Sequence, residues 1–426
     1  MLLPNLFVPP FMKRLTLGVP RSLSYQDPTN VVGGSSFVRA MQIFSGSNEG
    51  FCLAWLSSHI ATIRRITSGM QTAGWWVDEL RMRGKSITLL QQQLSKYPKL
   101  SRESLVAVRL HVTALFQGEC MAGDSKAART HARILFKLDG QLMDEFQYVH
   151  HIMILMWNAT ELACKRLERT LIPFDASLER PLSKFWSMAS SHLPQMSVED
   201  QNVHPCVANR LLRTAFIRLR YCFSIGDSTI PFTNAAERLR GDMLFGWIAT
   251  KTFFDMGLLI TLYADLIEGM ELTRSEAKRL TEACMILTFL HVLRKGMHEA
   301  PINGVDVRDA SHVMMPRLAR HLQEAMRILN PAERLRYSHA YLWMFYVGTV
   351  WEKRLEYEKT FEVLGNAYPQ YWFSQMFAKH ACELNIWAWP DAVVILKRFV
   401  YSDHLSPSGH VWFEEVICGQ GTEWSL

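Results

Sequence analysis

The strongest constraint on the fold is a succession of helix-start signals, each followed by apolar residues at helical spacing. The stretch GDSKAARTHARILFKLDG, residues 123–140, shows this pattern in its shortest form. Asp124 is the candidate N-cap, because its carboxylate can accept from the free N–H groups of the first turn. Gly140 is predicted to end the helix. The apolar residues recur at i, i+4, i+7 and i+8 and predict one packed helix face, formed by Ala128, Ala132, Leu135 and Phe136.

The same signals predict further helices along the chain. Ser101 precedes an apolar stripe over residues 105–116 and is a candidate N-cap. The long apolar stretch that starts at residue 141 becomes basic towards its end and is predicted to stop at Pro173. Asn330 is another candidate cap, since a proline occupies the first helical position after it and a glutamate follows three residues after it.

Two later segments complete the assignment of the fold class. Thr273 and Glu276 have the spacing of a capping box and predict a helix start. Residues 393–401 are rich in β-branched side chains, which permits a short strand, but Pro390 just ahead of them favours a helix start. Strands are needed nowhere else. The sequence therefore predicts an all-α fold of packed antiparallel helices.

The first 50 residues differ from the rest of the chain. They carry five of the 17 prolines and two glycine- and serine-rich stretches, without sustained periodicity. This composition predicts a flexible N-terminal arm over residues 1–50. The helix signals all fall in residues 51–426, which we expect to form one helical body with an extensive core, since 49% of the residues in the chain are hydrophobic.

The cysteines and the net charge exclude several classes of protein. The closest two of the eight cysteines are Cys206 and Cys222, so no pair has the spacing of a zinc knuckle or a redox motif. We expect no bound metal and reduced thiols in a reducing compartment. The net charge of +6 comes from 46 basic and 40 acidic residues without a long run of one sign, and by itself it does not indicate a nucleic-acid partner. Prolines interrupt the apolar N-terminus, which is not typical of a secretory signal.

A very apolar stretch, residues 243–266, could be mistaken for a membrane span. Lys251 and Asp255 lie near its middle, and each would cost about 2.5–3.5 kcal/mol at the centre of a bilayer. We therefore predict a buried helix and no membrane partner. The two charges lie four residues apart, so they can pair with each other.

Motifs that carry chemistry are scarce. The chain has no glycine-rich phosphate loop, no nucleophile elbow and no zinc-protease helix. A solvated loop between helices is the preferred interpretation of residues 298–312, although their donors suit a divalent cation. The adjacent His150 and His151 lie in an apolar helix, and one ring is expected to face the core and find a backbone partner. The weaker metal hypothesis would use His298, Glu299, Asp306, Asp309 and His312.

Two further clusters have a structural and a functional interpretation. Residues 209–221 interleave arginines with apolar side chains, as a nucleic-acid helix does, but arginine stems that cover apolar neighbours on a surface helix are favoured. These arginines are Arg210, Arg213, Arg218 and Arg220. Core packing is likewise the favoured interpretation of the C-terminal aromatic residues. The alternative is a cavity for an apolar small molecule, lined with Trp372, Trp387 and Trp389.

The helix pair VAVRLHVTALFQGECMAGDSKAARTHARILFKLDG and the apolar helix that ends near LERTLIPF resemble the central part of the fungal-specific transcription factor domain. That family is the regulatory region that accompanies a six-cysteine zinc cluster in fungal regulators. The stretches YLWMFYVGTVWEKR and YWFSQMFAKHACELNIWAWPDAVVILKRFVYSDHLSPSGHVWFEEV resemble its closing region. The resemblance covers roughly residues 50–416 and consists of diffuse apolar patterns.

The resemblance implies an all-α regulatory domain that works in the nucleus through protein partners or an effector. The partners would be the transcription machinery or a homologous regulator, and the domain could form a homodimer or heterodimer. The resemblance supplies no catalytic residue and no cofactor. Members carry closely spaced cysteines near the N-terminus, whereas the first hundred residues here contain only Cys52. Either the chain is a truncated gene product that has lost the zinc cluster, or it is a regulator-like protein that acts through partners.

The expected function is therefore a transcription-regulator-like helical scaffold without its own DNA-reading zinc cluster, and not an enzyme. Direct sequence-specific DNA binding is not expected. The alternative function is a helical small-ligand-binding protein or an enzyme that uses the aromatic-lined cavity.

Overall fold

The computed structural model describes residues 48–66, 73–96, 101–138, 145–227, 235–269, 275–295, 310–358, 371–402 and 409–419. These residues form fifteen helices and no strand, so the predicted all-α fold is confirmed. In chain order the helices are α1 (Glu49–Ile66), α2 (Ala73–Leu94), α3 (Arg102–Ala122), α4 (Ser125–Lys137), α5 (Glu145–Arg166), α6 (Ala176–Ser190), α7 (Val198–Gln201), α8 (Arg210–Asp227), α9 (Ala235–Ile267), α10 (Glu276–Leu293), α11 (Ser311–Ile328), α12 (Pro331–Glu358), α13 (Trp372–Glu383), α14 (Trp389–Leu396) and α15 (Gly409–Gly419). Apart from residues 48–50, the predicted N-terminal arm lies outside the described residues.

The backbone divides into two compact units. The first comprises Met1–Leu193, Thr229–Leu258 and Ala300–Asp309, and its helices are α1–α6 with most of α9. The second comprises Pro194–Ser228, Leu259–Glu299 and Ala310–Leu426, and it contains α7, α8 and α10–α15. The sequence predicts one helical body for residues 51–426, whereas the backbone groups into these two units.

The core of the first unit is built from α1, α2 and α3, which pack against one another. The start of α3 is as predicted, because the Ser101 hydroxyl accepts from the N–H of Ser104 at 3.2 Å. The helix ends at Gly123, whose φ of 81° lies in the left-handed region that glycine adopts without strain. This turn leads directly into α4.

The predicted cap of α4 is confirmed, since the Asp124 carboxylate accepts from the N–H of Ala127 at 3.0 Å. Phe136 was predicted to lie on the packed face of α4, and this is wrong, because its side chain is 49% exposed. At about 100° per residue, Phe136 lies about 80° around the helix from Ala128, at the edge of the stripe. The predicted terminator Gly140 lies outside the described residues. The buried face is formed by Ala128, His131, Ala132 and Leu135.

The other predicted boundary in this unit is misplaced. Helix α5 ends at Arg166, before the predicted stop at Pro173. Leu167 turns the chain out of the helix with a left-handed φ of 54°. The last turn of α5 is basic, as predicted.

The apolar stretch of residues 243–266 forms most of α9 and is largely buried, as predicted. Gly257 allows the Phe174 ring to approach so closely that a β-carbon would collide with it. The Lys251 ammonium lies 3.1 Å from the centroid of the Trp186 ring, in cation–π geometry. Among the described helices, none has the length and apolar character of a membrane span.

Aromatic side chains around α12 form the core of the second unit. Trp343 is fully buried and donates from Nε1 to the carbonyl oxygen of Val400 at 2.9 Å. Its ring stacks on Phe399, with centroids 5.3 Å apart. The buried Phe373 ring of α13 packs directly against Gly348 of α12, so there is no room for a β-carbon at this position. The long α12 is therefore fixed on two sides by aromatic contacts.

One of the two predicted capping boxes is present in the second unit. Asn330 accepts from the N–H of Glu333 at 2.9 Å and caps α12, as predicted. The cap predicted at Thr273 is wrong, because α10 begins only at Glu276 and is capped by Ser275. The Ser275 hydroxyl accepts from the N–H of Lys278 at 3.3 Å, and Thr273 lies outside the described residues.

The segment with a β-branched bias is helical at its start. Helix α14 begins at Trp389 with Pro390 in its first turn and runs to Leu396, so the helix interpretation is confirmed. Residues 397–400 continue as turns and bends, without a strand.

Candidate functional site

The three tryptophans of the predicted aromatic-lined cavity lie in different surroundings. Trp387 is 62% exposed. Trp389 packs in a cluster of rings with Tyr346 and Trp412, at centroid distances of 6.0 and 6.1 Å. Trp372 makes edge contacts with the buried rings of Phe345 and Phe373. No ring contact joins the three described tryptophans to one another, so direct packing does not bring them together.

The predicted basic helix is α8, and its arginines hold the preceding loop. Arg213 donates to the carbonyl oxygen of Val203 at 3.0 Å. Arg220 donates to the carbonyl oxygen of Asn202 at 2.8 Å and also to that of Glu199. These contacts favour a structural role over nucleic-acid binding. The predicted cover of apolar neighbours by the arginine stems stays a prediction, and the guanidinium groups of Arg213 and Arg220 also hold backbone carbonyls.

The candidate metal loop is mostly outside the described residues. Only His312 is described, in the first turn of α11. Across the described ranges, no group of three or more His, Cys, Asp or Glu side chains is arranged to hold a metal. None of the seven cysteines whose side chains the structure describes forms a disulfide bond. The loop residues that the structure does not describe are His298, Glu299, Asp306 and Asp309.

One of the two adjacent histidines of α5 faces the core, as predicted. His151 is buried, and Arg109 donates from Nε to His151 Nε2 at 3.1 Å. The Thr113 hydroxyl lies 3.3 Å from the same nitrogen. Burial and, secondarily, the Arg109 charge hold the pKa of His151 well below its usual value. The predicted backbone partner is wrong, because the ring reaches side chains of α3.

Ser86 of α2 and His111 of α3 have the spacing of a nucleophile and its base. Ser86 Oγ lies 2.7 Å from His111 Nε2, and both side chains are fully buried. Ser86 donates to the carbonyl oxygen of Gly50 at 2.8 Å, and His111 Nδ1 lies 3.5 Å from Gln93 Oε1. Burial lowers the pKa of His111 to about 4. Because both groups are buried away from any substrate, we interpret this pair as a structural tie between α1, α2 and α3.

Two buried carboxylates share one guanidinium between α2 and α3. Arg83 donates to Glu119 Oε2 at 2.7 Å and to Glu79 on its own helix. Burial raises the pKa of Glu119 to about 7, while the Arg83 charge opposes this rise. Paired carboxylates of this kind can exchange protons with a substrate only where a substrate reaches them. Both are buried here, so the cluster joins two helices and offers no reacting group at the surface.

The first turns of α2 expose a group of large apolar side chains. We name this group the α2 apolar surface, and it comprises Trp75, Trp76, Val77 and Leu80, which are 47, 44, 51 and 43% exposed. Exposed apolar residues that occur singly are ordinary on protein surfaces, whereas four of them within two turns of one helix make a candidate interaction surface. The other exposed large apolar residues of the described ranges are at least seven positions from one another in the sequence.

The sequence analysis missed the α2 apolar surface, although the sequence carries a signal for it. The segment AGWWVDEL places two adjacent tryptophans at the start of a helix. Neighbouring residues of a helix point in different directions, so at most one of the two can lie at the centre of the buried face. Comparison with family models, with characterised proteins and with solved structures gives no match for this chain.

Proposed function

We propose that the protein is a transcription-regulator-like helical scaffold that operates in the nucleus by binding protein partners. The observation that carries the proposal is the α2 apolar surface, which presents two tryptophans and two aliphatic residues to solvent on one short helical segment. Tryptophan is enriched among the residues that dominate protein–protein binding energies. The resemblance of roughly residues 50–416 to a fungal regulatory domain supports the transcriptional setting.

The chemistry of the described residues supports a scaffold over an enzyme. The hydroxyl–imidazole pair of Ser86 and His111 is fully buried, so it would not meet a substrate. The carboxylates around Arg83 are also buried, so they would not meet a substrate. The scaffold that we propose needs no cofactor and no metal for its function.

The proposed scaffold would read DNA through a partner. The cysteine spacing of this chain does not fit a zinc cluster, and two arginines of α8 are engaged with backbone carbonyls. The partner would be a component of the transcription machinery or a homologous regulator, including a second copy of this chain. Sedimentation equilibrium of the full chain distinguishes self-association from binding to a different protein.

The test is a reporter assay with the full chain tethered to a promoter through a heterologous DNA-binding domain. We expect the wild-type chain to change reporter transcription. The double variant Trp75→Ser with Leu80→Ser should lose most of the effect, because interface tryptophans often contribute about 2 kcal/mol or more. The matched control is Leu335→Ser with Val394→Ser, which removes two exposed apolar side chains elsewhere. Equal effects of both double variants, or a fluorescently tagged chain excluded from the nucleus, would contradict the proposal.

A gel-shift series with random and genomic duplexes tests the proposed mode of DNA recognition. We expect only weak binding that falls steeply with salt, because scattered basic residues contact phosphates and release counterions without reading bases. Metal analysis of the same sample should detect no stoichiometric zinc. Tight binding to one sequence, or bound zinc, would show that the chain has a DNA-reading module of its own.

A further inference from the structure

Basic side chains from three segments of the second unit meet at one place. His204 lies in the loop between α7 and α8, Arg336 and His339 lie on α12, and Arg398 follows α14. His204 Nε2 lies 3.1 Å from His339 Nδ1, which joins the first two segments directly. The main-chain N–H of His204 donates to the carbonyl oxygen of Arg398 at 2.8 Å, which joins the third.

The hydrogen bonds determine where the two imidazoles carry their protons. The backbone N–H of Cys206 donates to His204 Nδ1 at 3.2 Å, so this nitrogen is an acceptor. Burial is the main cause that lowers the pKa of His204 to about 4 and also lowers the pKa of His339, and both rings are therefore neutral at pH 7. The single proton of His204 lies on Nε2 and is donated to His339 Nδ1. The proton of His339 consequently lies on Nε2, where it has no hydrogen-bond acceptor among the described residues.

The loop that carries His204 is held rigidly in this position. Arg213 donates to the carbonyl oxygen of Val203 at 3.0 Å and fixes the backbone immediately before His204. The His204 ring stacks on Phe399, with centroids 5.1 Å apart and planes inclined by 17°. Because Phe399 also stacks on Trp343 in the buried core, the position of the imidazole is determined before any ligand arrives.

The charges around the two imidazoles are uniformly basic. Besides burial, the charges of Arg398 and Arg213 lower the pKa of His204, and the charges of Arg398 and His380 lower the pKa of His339. No carboxylate contributes to either pKa. The nearby carboxylate of Glu383 is engaged with His380 at 3.1 Å. Arg336 belongs to the same group of charges. Burial raises the pKa of the Cys206 thiol, and the charge of Arg336 opposes this rise, as do those of Arg398 and Arg213.

Two of the guanidinium groups are available to a ligand. Arg398 is half-buried and makes no side-chain hydrogen bond or ion pair with the residues that the structure describes. Arg336 is exposed, and its guanidinium carbon lies 5.6 Å from the centroid of the Tyr337 ring. Two guanidinium groups without a carboxylate partner among the described residues are complementary to an oxyanion, and the planar fork of arginine matches the oxygens of a phosphate group.

We propose that His339, Arg398 and Arg336 bind a phosphate group, with Arg398 as its main cationic contact. The Nε2–H of His339 donates to one phosphate oxygen, and the two guanidinium groups neutralise the charge. The phosphate is either the free inorganic ion or the phosphate of a small phosphomonoester. The inference is independent of the proposed scaffold function, because it uses none of the residues of the α2 apolar surface.

Isothermal titration calorimetry of the full chain at constant ionic strength tests the proposal. Inorganic phosphate and glycerol 3-phosphate serve as the two probes, and sodium chloride is the blank. We expect saturable binding of at least one probe, and tighter binding of glycerol 3-phosphate would identify a phosphomonoester as the ligand. Arg398→Met keeps the aliphatic stem and should raise the Kd about tenfold or more, because a charge-assisted contact is lost.

Arg320→Met on α11 is the matched control, since it removes an exposed arginine of the same unit and should leave the Kd unchanged. Absence of saturable binding to wild type, or an equal Kd for Arg398→Met and Arg320→Met, overturns the proposal. Selective isotope labelling of the histidines gives a second readout on the wild-type chain, in case Arg398→Met does not fold. Phosphate should shift the imidazole resonances of His339 and His204 and leave those of the buried His151 in place; unchanged His339 resonances also overturn the proposal.

Discussion

Substitution of Glu352 should destabilise the second unit more than its position in the middle of a helix suggests. The side chain is fully buried on α12, and its carboxylate lies at the N-terminus of α13. Oε1 accepts from the N–H of Phe373 at 2.8 Å, and Oε2 accepts from the N–H and the hydroxyl of Ser374 at 2.8 and 2.6 Å. Tyr371, at the N-cap position of α13, makes no side-chain cap hydrogen bond, so Glu352 supplies the cap from another helix.

The expected loss of stability follows from the number and the kind of these hydrogen bonds. A hydrogen bond to a charged group contributes about 1.5–3 kcal/mol to the free energy of unfolding, and the negative charge also interacts favourably with the helix dipole. Glu352→Gln keeps one acceptor oxygen and turns its NH₂ group towards a backbone donor, so we expect a loss of about 2–3 kcal/mol. Glu352→Ala removes these acceptor contacts and leaves buried donors unpaired, so we expect about 4–5 kcal/mol. Either loss is a large part of the total stability of a typical domain, which is about 5–15 kcal/mol.

Urea denaturation of the full chain, followed by circular dichroism and tryptophan fluorescence, measures these losses. The matched control is Glu356→Gln on the same helix, since that side chain is 46% exposed and pairs with Lys353 at 3.3 Å. Such exposed pairs contribute about 0–1 kcal/mol. A Glu352→Gln variant as stable as the Glu356→Gln control would show that the carboxylate does not cap α13.

Three further outcomes are expected. Gly348→Ala should lower the free energy of unfolding by about 1–3 kcal/mol or more in urea titrations, because the new β-carbon would collide with the ring packed against this position. Gly84→Ala is the control, since a β-carbon there would meet no neighbouring atom within 4 Å, and it should raise the free energy of unfolding by about 0.5–1 kcal/mol. Ala132→Trp should lower the melting temperature far more than Arg129→Trp, since the first position is buried on α4 and the second is exposed, and equal melting temperatures would place the wrong face in the core. Burial raises the pKa of Glu119 from 4.5 in the unfolded chain to about 7, so the folded state binds this proton more tightly. The stability that this proton contributes is therefore fully present below pH 4.5 and is lost as the pH rises through 7. Stability measured from pH 5 to 8 should therefore fall less for Glu119→Gln than for wild type, by at most about 3 kcal/mol, which partial solvent screening reduces, and parallel profiles would contradict the burial argument.

The features that could be predicted from the sequence are those that depend on residues close together in the chain. The caps at Ser101, Asp124 and Asn330 each need only a side-chain oxygen and an N–H three residues later, and all three are present. The cap of α10 was misassigned because Thr273 and Ser275 are both suitable residues, and the choice depends on where the backbone becomes helical. Local spacing identifies a helix start within a few residues and leaves its exact first residue to tertiary packing.

The orientation of a helix face is less predictable than its existence. Phe136 fits the i+8 spacing from Ala128, yet it lies at the border of the apolar stripe, where small differences in packing decide exposure. His131 takes its place on the buried face although a pattern of apolar residues cannot include it. The adjacent Trp75 and Trp76 show the same limit, since about 100° separates neighbouring residues on a helix and a single core-facing stripe cannot accommodate both at its centre.

The polar clusters could not be predicted, because each joins residues that are distant in the sequence. Ser86 and His111 lie 25 positions apart and meet only because α2 and α3 pack side by side. His204 and His339 lie 135 positions apart, and neither has a sequence motif around it that distinguishes it from an ordinary surface histidine. Their relation depends on the packing of Phe399 against Trp343, since this aromatic stack fixes the turn whose carbonyl oxygen holds the His204 backbone. Disturbing that core contact should therefore shift the imidazole resonances of both histidines, although neither ring would itself be altered.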